Sequence, residues 1–286
     1  MMQPVMHDPL FTPAAALPGR GVGALALLRE GELEVRGRLT VSSNAALVGT
    51  VALATPAGEP DRRLGGPGGL LDHLLGEEGP QPGQVIAAAV YKPIAFERPL
   101  WDFPDGTLAQ REVGAFLVSE ATGWGIVPPT VLREGPAGQG MVQLWIDPDD
   151  SIDAWELVQA ADRRLRPMAL LDAVLNNTDR KGGHIVPVRQ SGEVHLYGVD
   201  HGVCFSPDPK LRTVLWAWRG RRIAPAELEV LERLRAELAG ALGEDLGELL
   251  DEDELGATRE RLDGLLATRR FPEPSPDWPA VPWPPY

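Results

Sequence analysis

Two glycine-bearing turns on either side of a short hairpin constrain this chain more than anything else in it. Asn176-Asn177-Thr178-Asp179-Arg180-Lys181-Gly182-Gly183-His184 leads into the hairpin, and Tyr197-Gly198-Val199-Asp200-His201-Gly202 leads out of it. Residues 185–189 and 194–199 read as its strands, and Gln190-Ser191-Gly192 as the reversal between them. Asp179 and Asp200 therefore fall just outside its two ends, an arrangement that can bring both carboxylates to a common cleft. Two carboxylates, a lysine and an imidazole in so short a span exceed what a packed core requires. A cleft holding several ionisable groups is where metal-assisted or general-base chemistry is usually found.

What precedes the first turn reads as support for it. Residues 151–175 look helical, and Met168, Leu170, Leu171, Val174 and Leu175 form an apolar stripe that delivers the chain into Asn176. Further back, residues 85–91 form an apolar strand that ends at Lys92, with Pro93 blocking further ladder pairing. An ammonium at the end of a buried strand needs an anionic partner, because desolvating it alone costs several kcal/mol. Glu112 can supply one. It lies about one turn into a helix expected over residues 108–122, capped by Thr107 and facing inward through Val113, Phe116 and Leu117. A plain ion pair joining helix to strand explains these two residues as well as a site does.

The remaining punctuation divides the chain. Residues 1–21 are rich in Pro, Ala and Gly and read as an arm, followed by a short helix over 22–29. Residues 32–41 alternate as a half-buried strand, Ser42-Ser43-Asn44 forms a small polar tip, and 47–54 return as a second strand. Residues 55–84 are crowded with Gly and Pro and read as a loop insertion. Strands are expected at 127–132 and 141–146, and Asp147-Pro148-Asp149-Asp150 marks the boundary between two lobes, 22–146 and 147–270. Lys210, Arg212, Arg219, Arg221 and Arg222 surround Trp216 and Trp218, a segment suited either to holding an anionic substrate or to docking on acidic neighbours. Residues 226–267 carry amphipathic helices broken at Gly240, Gly243 and Gly256. Residues 271–286 form a Pro/Trp tail that either packs on the body or is read by a protein partner as an extended segment.

Composition excludes several classes. A net charge of −14 argues against nucleic-acid binding and against anionic bilayers, since both reward a basic face. No apolar run approaches the roughly 20 residues of a membrane span, so stable membrane insertion is not expected. A single cysteine, Cys204, fits a reducing compartment, and the expectation is a cytoplasmic protein.

The order of elements resembles the protein-kinase-like fold: α+β and bilobal, with a small antiparallel β N-lobe plus one helix and a mainly helical C-lobe with a catalytic hairpin. Asn177-Thr178-Asp179-Arg180 and Val199-Asp200-His201-Gly202 look like the phosphatidylinositol 3- and 4-kinase-like group, and type II phosphatidylinositol 4-kinases in particular. Tyr91-Lys92-Pro93 and Arg98-Pro99-Leu100-Trp101-Asp102-Phe103-Pro104 are similar to segments of a bacterial family of uncharacterised kinase-like proteins, a likeness that runs over residues 22–220. The kinase resemblance implies that Lys92 contacts ATP phosphates while pairing with Glu112, and that Ser42, Ser43 and Asn44 lie over those phosphates. Backbone of Gln143, Leu144, Trp145 and Ile146 would meet the adenine. Asp179 would accept the proton of the attacking hydroxyl, Lys181 would neutralise charge on the moving phosphoryl group, and Asp200 would bind the metal. His184 departs from the pattern. Kinases place Asn there, and an imidazole nitrogen suits Mn²⁺ better than Mg²⁺.

The expected function is thus an ATP-dependent phosphotransferase that moves the γ-phosphate to a hydroxyl of a protein, a small molecule or a lipid headgroup. Two alternatives use the same fold: an ATP-binding pseudokinase that scaffolds a partner through the acidic helices or the Trp/Pro tail, and a nucleotidyl transferase that moves AMP. A metal-dependent hydrolase using Asp179, His184 and Asp200 would leave Lys92 and Glu112 without a role.

Overall fold

In a computed structural model the chain is described over residues 23–39, 46–55, 61–66, 68–76, 81–190 and 192–286. The Ser42-Ser43-Asn44 tip and the 1–21 arm lie outside the described residues. Six strands make one sheet: β1 (Glu32–Arg38), β2 (Leu47–Ala54), β3 (Arg62–Leu64), β4 (Gln84–Pro93), β5 (Thr130–Gly135) and β6 (Gly138–Leu144), in the order β1-β2-β4-β6-β5, with β3 paired parallel to the first half of β4. β4 is central and almost wholly apolar, as a strand paired on both edges and covered on both faces should be. Its neighbour β6 approaches tightly beside Lys92: a Cβ at Gly140 would lie 2.4 Å from the Lys92 carbonyl oxygen and 2.7 Å from Pro93 Cα. Only glycine fits there, and the fit fixes where the Lys92 side chain leaves the sheet.

One helix, α1 (Ala24–Glu30), packs Leu27 and Leu28 into the core shared by β1, β2, β4, β5 and β6. Within the range 55–84, expected as a loop insertion, the described residues include β3 and a short α2 (Leu70–Leu75). Asp147 accepts from the Leu70 amide (2.8 Å) and from Trp145 Nε1 (2.9 Å), so α2 is tied to the strand-to-helix connection after β6. Leu71, Ile86 and Ala88 bury an apolar patch there. This hydrophobic patch, not local propensity, gives the segment its structure.

Before β5 in the chain, α3 (Leu108–Thr122) packs on β5 and β6 and on two helices of the second half, which is mainly helical: α4 (Ala154–Gln159), α5 (Arg166–Leu175), α6 (Pro225–Leu238), α7 (Ala241–Gly247) and α8 (Glu252–Thr268), α3 meeting α6 and α7, with a two-stranded hairpin β7 (Ile185–Gln190) and β8 (Glu193–Gly198). The expected bilobal layout holds, with local corrections. Residues 151–175 are not one helix, because Pro167 opens α5 and a tight turn at 163–165 separates it from α4. Gly256 does not break α8, which is opened by a capping box between Asp251 and Glu254 and runs through to a left-handed Arg269. Thr107 does not cap α3 either. Its hydroxyl donates to Pro104 O, and the amides of Leu108 and Ala109 are capped by Glu97 at 3.1 and 2.8 Å. The strand expected at 127–132 starts later, at Thr130, because Pro128 and Pro129 lack the amides a ladder needs, and it runs on to Gly135; the one expected at 141–146 is displaced to Gly138–Leu144, where it pairs with β5.

Candidate active site

The site forms where β4, α3 and the β7–β8 hairpin converge. Lys92 Nζ donates to Glu112 Oε1 at 2.6 Å and to Asp200 Oδ1 at 2.8 Å. The second oxygen of Glu112 accepts the His201 amide at 2.8 Å, so two consecutive residues, Asp200 and His201, meet the two ends of one ion pair. Asp200 can do this because its backbone is left-handed, at φ 62°, a conformation in which Asp is among the more tolerated residues. Glu112 is 1% exposed, whereas the Asp200 side chain keeps 41% of its surface accessible. Burial alone would push the Lys92 pKa down, but the two carboxylates more than offset this and hold it above its ordinary value. Lys92 in turn holds Asp200 well below the usual carboxylate range against the opposing effect of burial. The pair is therefore charged at every pH near neutrality.

His184 Nε2 lies 3.5 Å from Asp200 Oδ2, and its Nδ1 is buried without a partner among the described residues. Burial lowers its pKa and Asp200 only partly opposes that, which leaves a neutral imidazole, the form that binds metals. Lys181 Nζ reaches Asp179 Oδ2 at 2.8 Å, and the Asp179 amide is held by Asn177 Oδ1 at 2.9 Å. Of the residues expected to meet the adenine, Leu144, Trp145 and Ile146 line the cleft between the lobes. Gln143 also borders it but turns its amide to Thr130 Oγ1 at 2.8 Å. The amides of Leu144 and Trp145 are already bonded to Pro129 O and Ala88 O, at 2.9 and 3.0 Å.

Beneath these groups lies a buried ionic network that the sequence reading did not find. Asp172, on α5, and Arg180 are both 0% exposed. The carboxylate accepts from Arg180 Nε and Nη2, from Asn177 Nδ2 at 3.0 Å and from Thr213 Oγ1 at 3.3 Å. Arg180 Nη1 donates to the carbonyls of His184 (3.2 Å) and Val199 (3.0 Å), one at each end of the hairpin, and Nη2 lies 2.6 Å from His201 Nε2. Because Arg180 can only donate, Nε2 of His201 must accept, so that ring is neutral; burial and the Arg180 charge push its pKa down accordingly. The signal for Asp172 was present: an acidic residue inside the apolar run Met168–Leu175 needs a buried cation. Lys210, which the sequence left open as an anionic-substrate contact, is instead 1% exposed, bonded to Asp102 at 2.7 Å and surrounded by Trp101, Phe103 and Trp278.

Two cavities meet at Lys92 and Asp200. The larger, about 550 Å³, runs between the lobes past Leu39, Val90, Trp145 and Val186 and includes Lys181 and His184. The smaller, about 60 Å³, opens beside Phe96 and Glu97 and includes Asp179. Among the described residues no group of three His, Cys, Asp or Glu side chains gathers in a way that could hold a metal. No helix among the described residues is long and apolar enough to cross a membrane.

No protein-family model matches the chain. It is 38% identical over 294 residues to Protein Rv2133c of Mycobacterium tuberculosis, a match that spans 91% of this chain and 94% of that protein. It is 27% identical over 154 residues to phosphatidylinositol 4-kinase gamma 4 of Arabidopsis thaliana, covering 46% of this chain and 27% of the plant protein. Among solved structures, the Golgi casein kinase with Mn/ADP bound superposes with a TM-score of 0.52 at 14% identity, over 85% of this chain and 74% of that one. A second crystal structure of the Golgi casein kinase gives 0.52 at 16% identity, over 85% and 72%. The fold is kinase-like, with an antiparallel sheet in its first part and helices in its second.

Proposed function

The chain belongs to the family of Protein Rv2133c, and from that premise we propose that it is an atypical kinase that transfers the γ-phosphate of ATP to a hydroxyl acceptor. The observation that carries this reading is the meeting of the two cavities at Lys92 and Asp200. A nucleotide in the larger cleft would lay its phosphates toward those two residues, while Asp179 faces the same point from the smaller one. Lys92, oriented by Glu112, is suited to the α- and β-phosphates. The Ile146 peptide follows the two engaged amides of Leu144 and Trp145 and is suited to the adenine edge. Asp179 is placed to take the acceptor's proton, and Lys181 to counter charge on the phosphoryl group in transit.

Asp200 and His184 are the residues that would hold a divalent cation, and with only two protein donors the remaining positions suit phosphate oxygens and water. Such an ion would neutralise the bridging phosphate oxygens, and a neutral imidazole donor favours Mn²⁺ over Mg²⁺. The structure bound to Mn/ADP is that of the Golgi casein kinase, and it supports the same cofactor class here. A kinship with the phosphatidylinositol 3-/4-kinase-like group is part of this proposal; it rests on Asn177-Thr178-Asp179-Arg180 and Val199-Asp200-His201-Gly202, beside a match to a plant phosphatidylinositol 4-kinase that covers 46% of this chain. The acceptor class is left as a hydroxyl on a protein, small molecule or lipid headgroup.

The test is a pair of variants assayed with γ-labelled ATP and Mn²⁺. Lys92→Ala should weaken nucleotide binding by at least about tenfold, since it removes a charge-assisted phosphate contact. Asp179→Ala should bind within about twofold of wild type and lose release or transfer of the label by about 100-fold or more. Equal turnover in wild type and Asp179→Ala would defeat the assignment.

A further inference from the structure

We propose that the C-terminal tail is a wall of the nucleotide cleft and that Tyr286 is a nucleotide-binding residue; the inference rests on the nucleotide reading above. The tail is fixed by specific bonds. Thr213 N and Trp216 Nε1 both donate to Ala280 O, at 3.0 and 2.7 Å, and Gly182 N donates to Pro285 O at 2.9 Å. Further back, Trp278 stacks on Trp101 with centroids 6.1 Å apart. The Tyr286 ring meets Trp155 edge-on, at 6.0 Å and 78°. It lies so close over the catalytic loop that a Cβ at Gly182 would fall 2.5 Å from its Cδ2 and 2.9 Å from Trp155 Cε3. Pro284 and Tyr286 consequently line the same cavity as Trp145, Lys181, His184 and Asp200.

Two observations distinguish a wall from a plug. With the tail in place the cleft still holds about 550 Å³, inside the roughly 300–1,000 Å³ of small-molecule sites. Tyr286, although held by Trp155, is 64% exposed as a residue and borders the cavity, so packing on Trp155 does not bury it away from a ligand. An aromatic ring at the edge of a cleft that also contains Lys92 and Asp200 suits the sugar or base of a nucleoside di- or triphosphate, which it can cover through apolar and π contacts. Trp155 and the absence of a side chain at Gly182 act as positioning features.

The experiment measures binding of ADP with Mn²⁺ by titration calorimetry to the full chain. It compares wild type, Lys92→Ala, Tyr286→Ala, Tyr286→Phe and Gly182→Ala, with the melting temperature of each unliganded variant. Tyr286→Ala is expected to weaken binding about tenfold and Tyr286→Phe to restore it, because the ring supplies the contact. Gly182→Ala should weaken binding similarly by displacing the ring, without altering residue 286. An unliganded Tyr286→Ala protein that melts with wild type shows that the lost affinity is not lost folding. If wild type binds, Lys92→Ala does not, and Tyr286→Ala binds as well as or better than wild type, the tail is not part of the site and only this inference falls. If wild type itself does not bind ADP, the nucleotide reading falls with it.

Discussion

A carboxylate with no exposed surface, set in a helix of apolar side chains, is stable only if its environment replaces every hydrogen bond that water would give it. Asp172 meets that condition through Arg180, Asn177 and Thr213. Arg180 then carries the charge onward to the His184 and Val199 carbonyls, which makes this pair the brace for the loop that holds Asp179 and Lys181. Removing one partner leaves an uncompensated buried guanidinium, so Asp172→Ala should cost about 3–5 kcal/mol of unfolding free energy in urea titrations. The double variant Asp172→Leu with Arg180→Met should recover part of that loss, since two apolar groups bury without a desolvation penalty. It should not recover phosphotransfer, because the two carbonyls lose their donor. A loss below about 1 kcal/mol for Asp172→Ala would place the pair among ordinary surface ion pairs.

At the scale of elements, α3 decides whether the site is assembled, since consecutive residues on it serve opposite sides. Glu112 meets Lys92 and the His201 amide, while Arg111, 1% exposed, donates to Cys204 O at 2.9 Å and pairs with Glu254 at the start of α8. Phe103 lies 4.9 Å from the Arg111 guanidinium, so the loop before α3 is fastened to the same group. Arg111→Met should therefore destabilise the chain by about 3–5 kcal/mol by stranding the Glu254 carboxylate. It should also weaken ADP binding, although Arg111 borders neither of the two cavities that meet at Lys92. Unchanged binding at a lowered melting temperature would mean that α3 holds Glu112 without this anchor. The Lys92–Glu112 partnership could be read from the sequence because a lysine ending an apolar strand demands an anion. The Arg111–Glu254 pair could not: Glu254 is one of thirteen acidic residues between 226 and 263, and local pattern does not say which of them turns inward.

For the whole molecule the same contrast holds. Alternation, the apolar stripe before Asn176 and the two carboxylate turns sufficed to expect a bilobal α+β chain with a hairpin at its working edge. Segments shaped by long-range contact are less legible: the composition around α2, on the connection after β6, reads as a loop, and the tail over Gly182 reads equally as packed on the body or held out to a partner. Long-range burial also sets the response to acid. His195 donates from Nε2 to Gly125 O at 2.8 Å and packs against Tyr197, and burial lowers its pKa, with the hydrogen bond opposing. His184 and His201 are shifted in the same direction, each first by burial. A histidine whose folded pKa lies below its unfolded value of about 6.5 binds its proton more readily when the chain is unfolded. Stability should therefore be full above about pH 6.5 and fall as pH drops toward the folded values, by about 1.4 kcal/mol per pH unit for each histidine in that window. Asp200, held low by Lys92, adds its own loss only at much lower pH. Melting temperatures in a chelating buffer should decline between pH 6.5 and 5, and His195→Gln, which keeps a donor to Gly125 O, should make the decline shallower. A flat profile over that interval in wild type would show that the three rings take up protons in the folded protein as easily as in the unfolded one, against the burial that sets the argument.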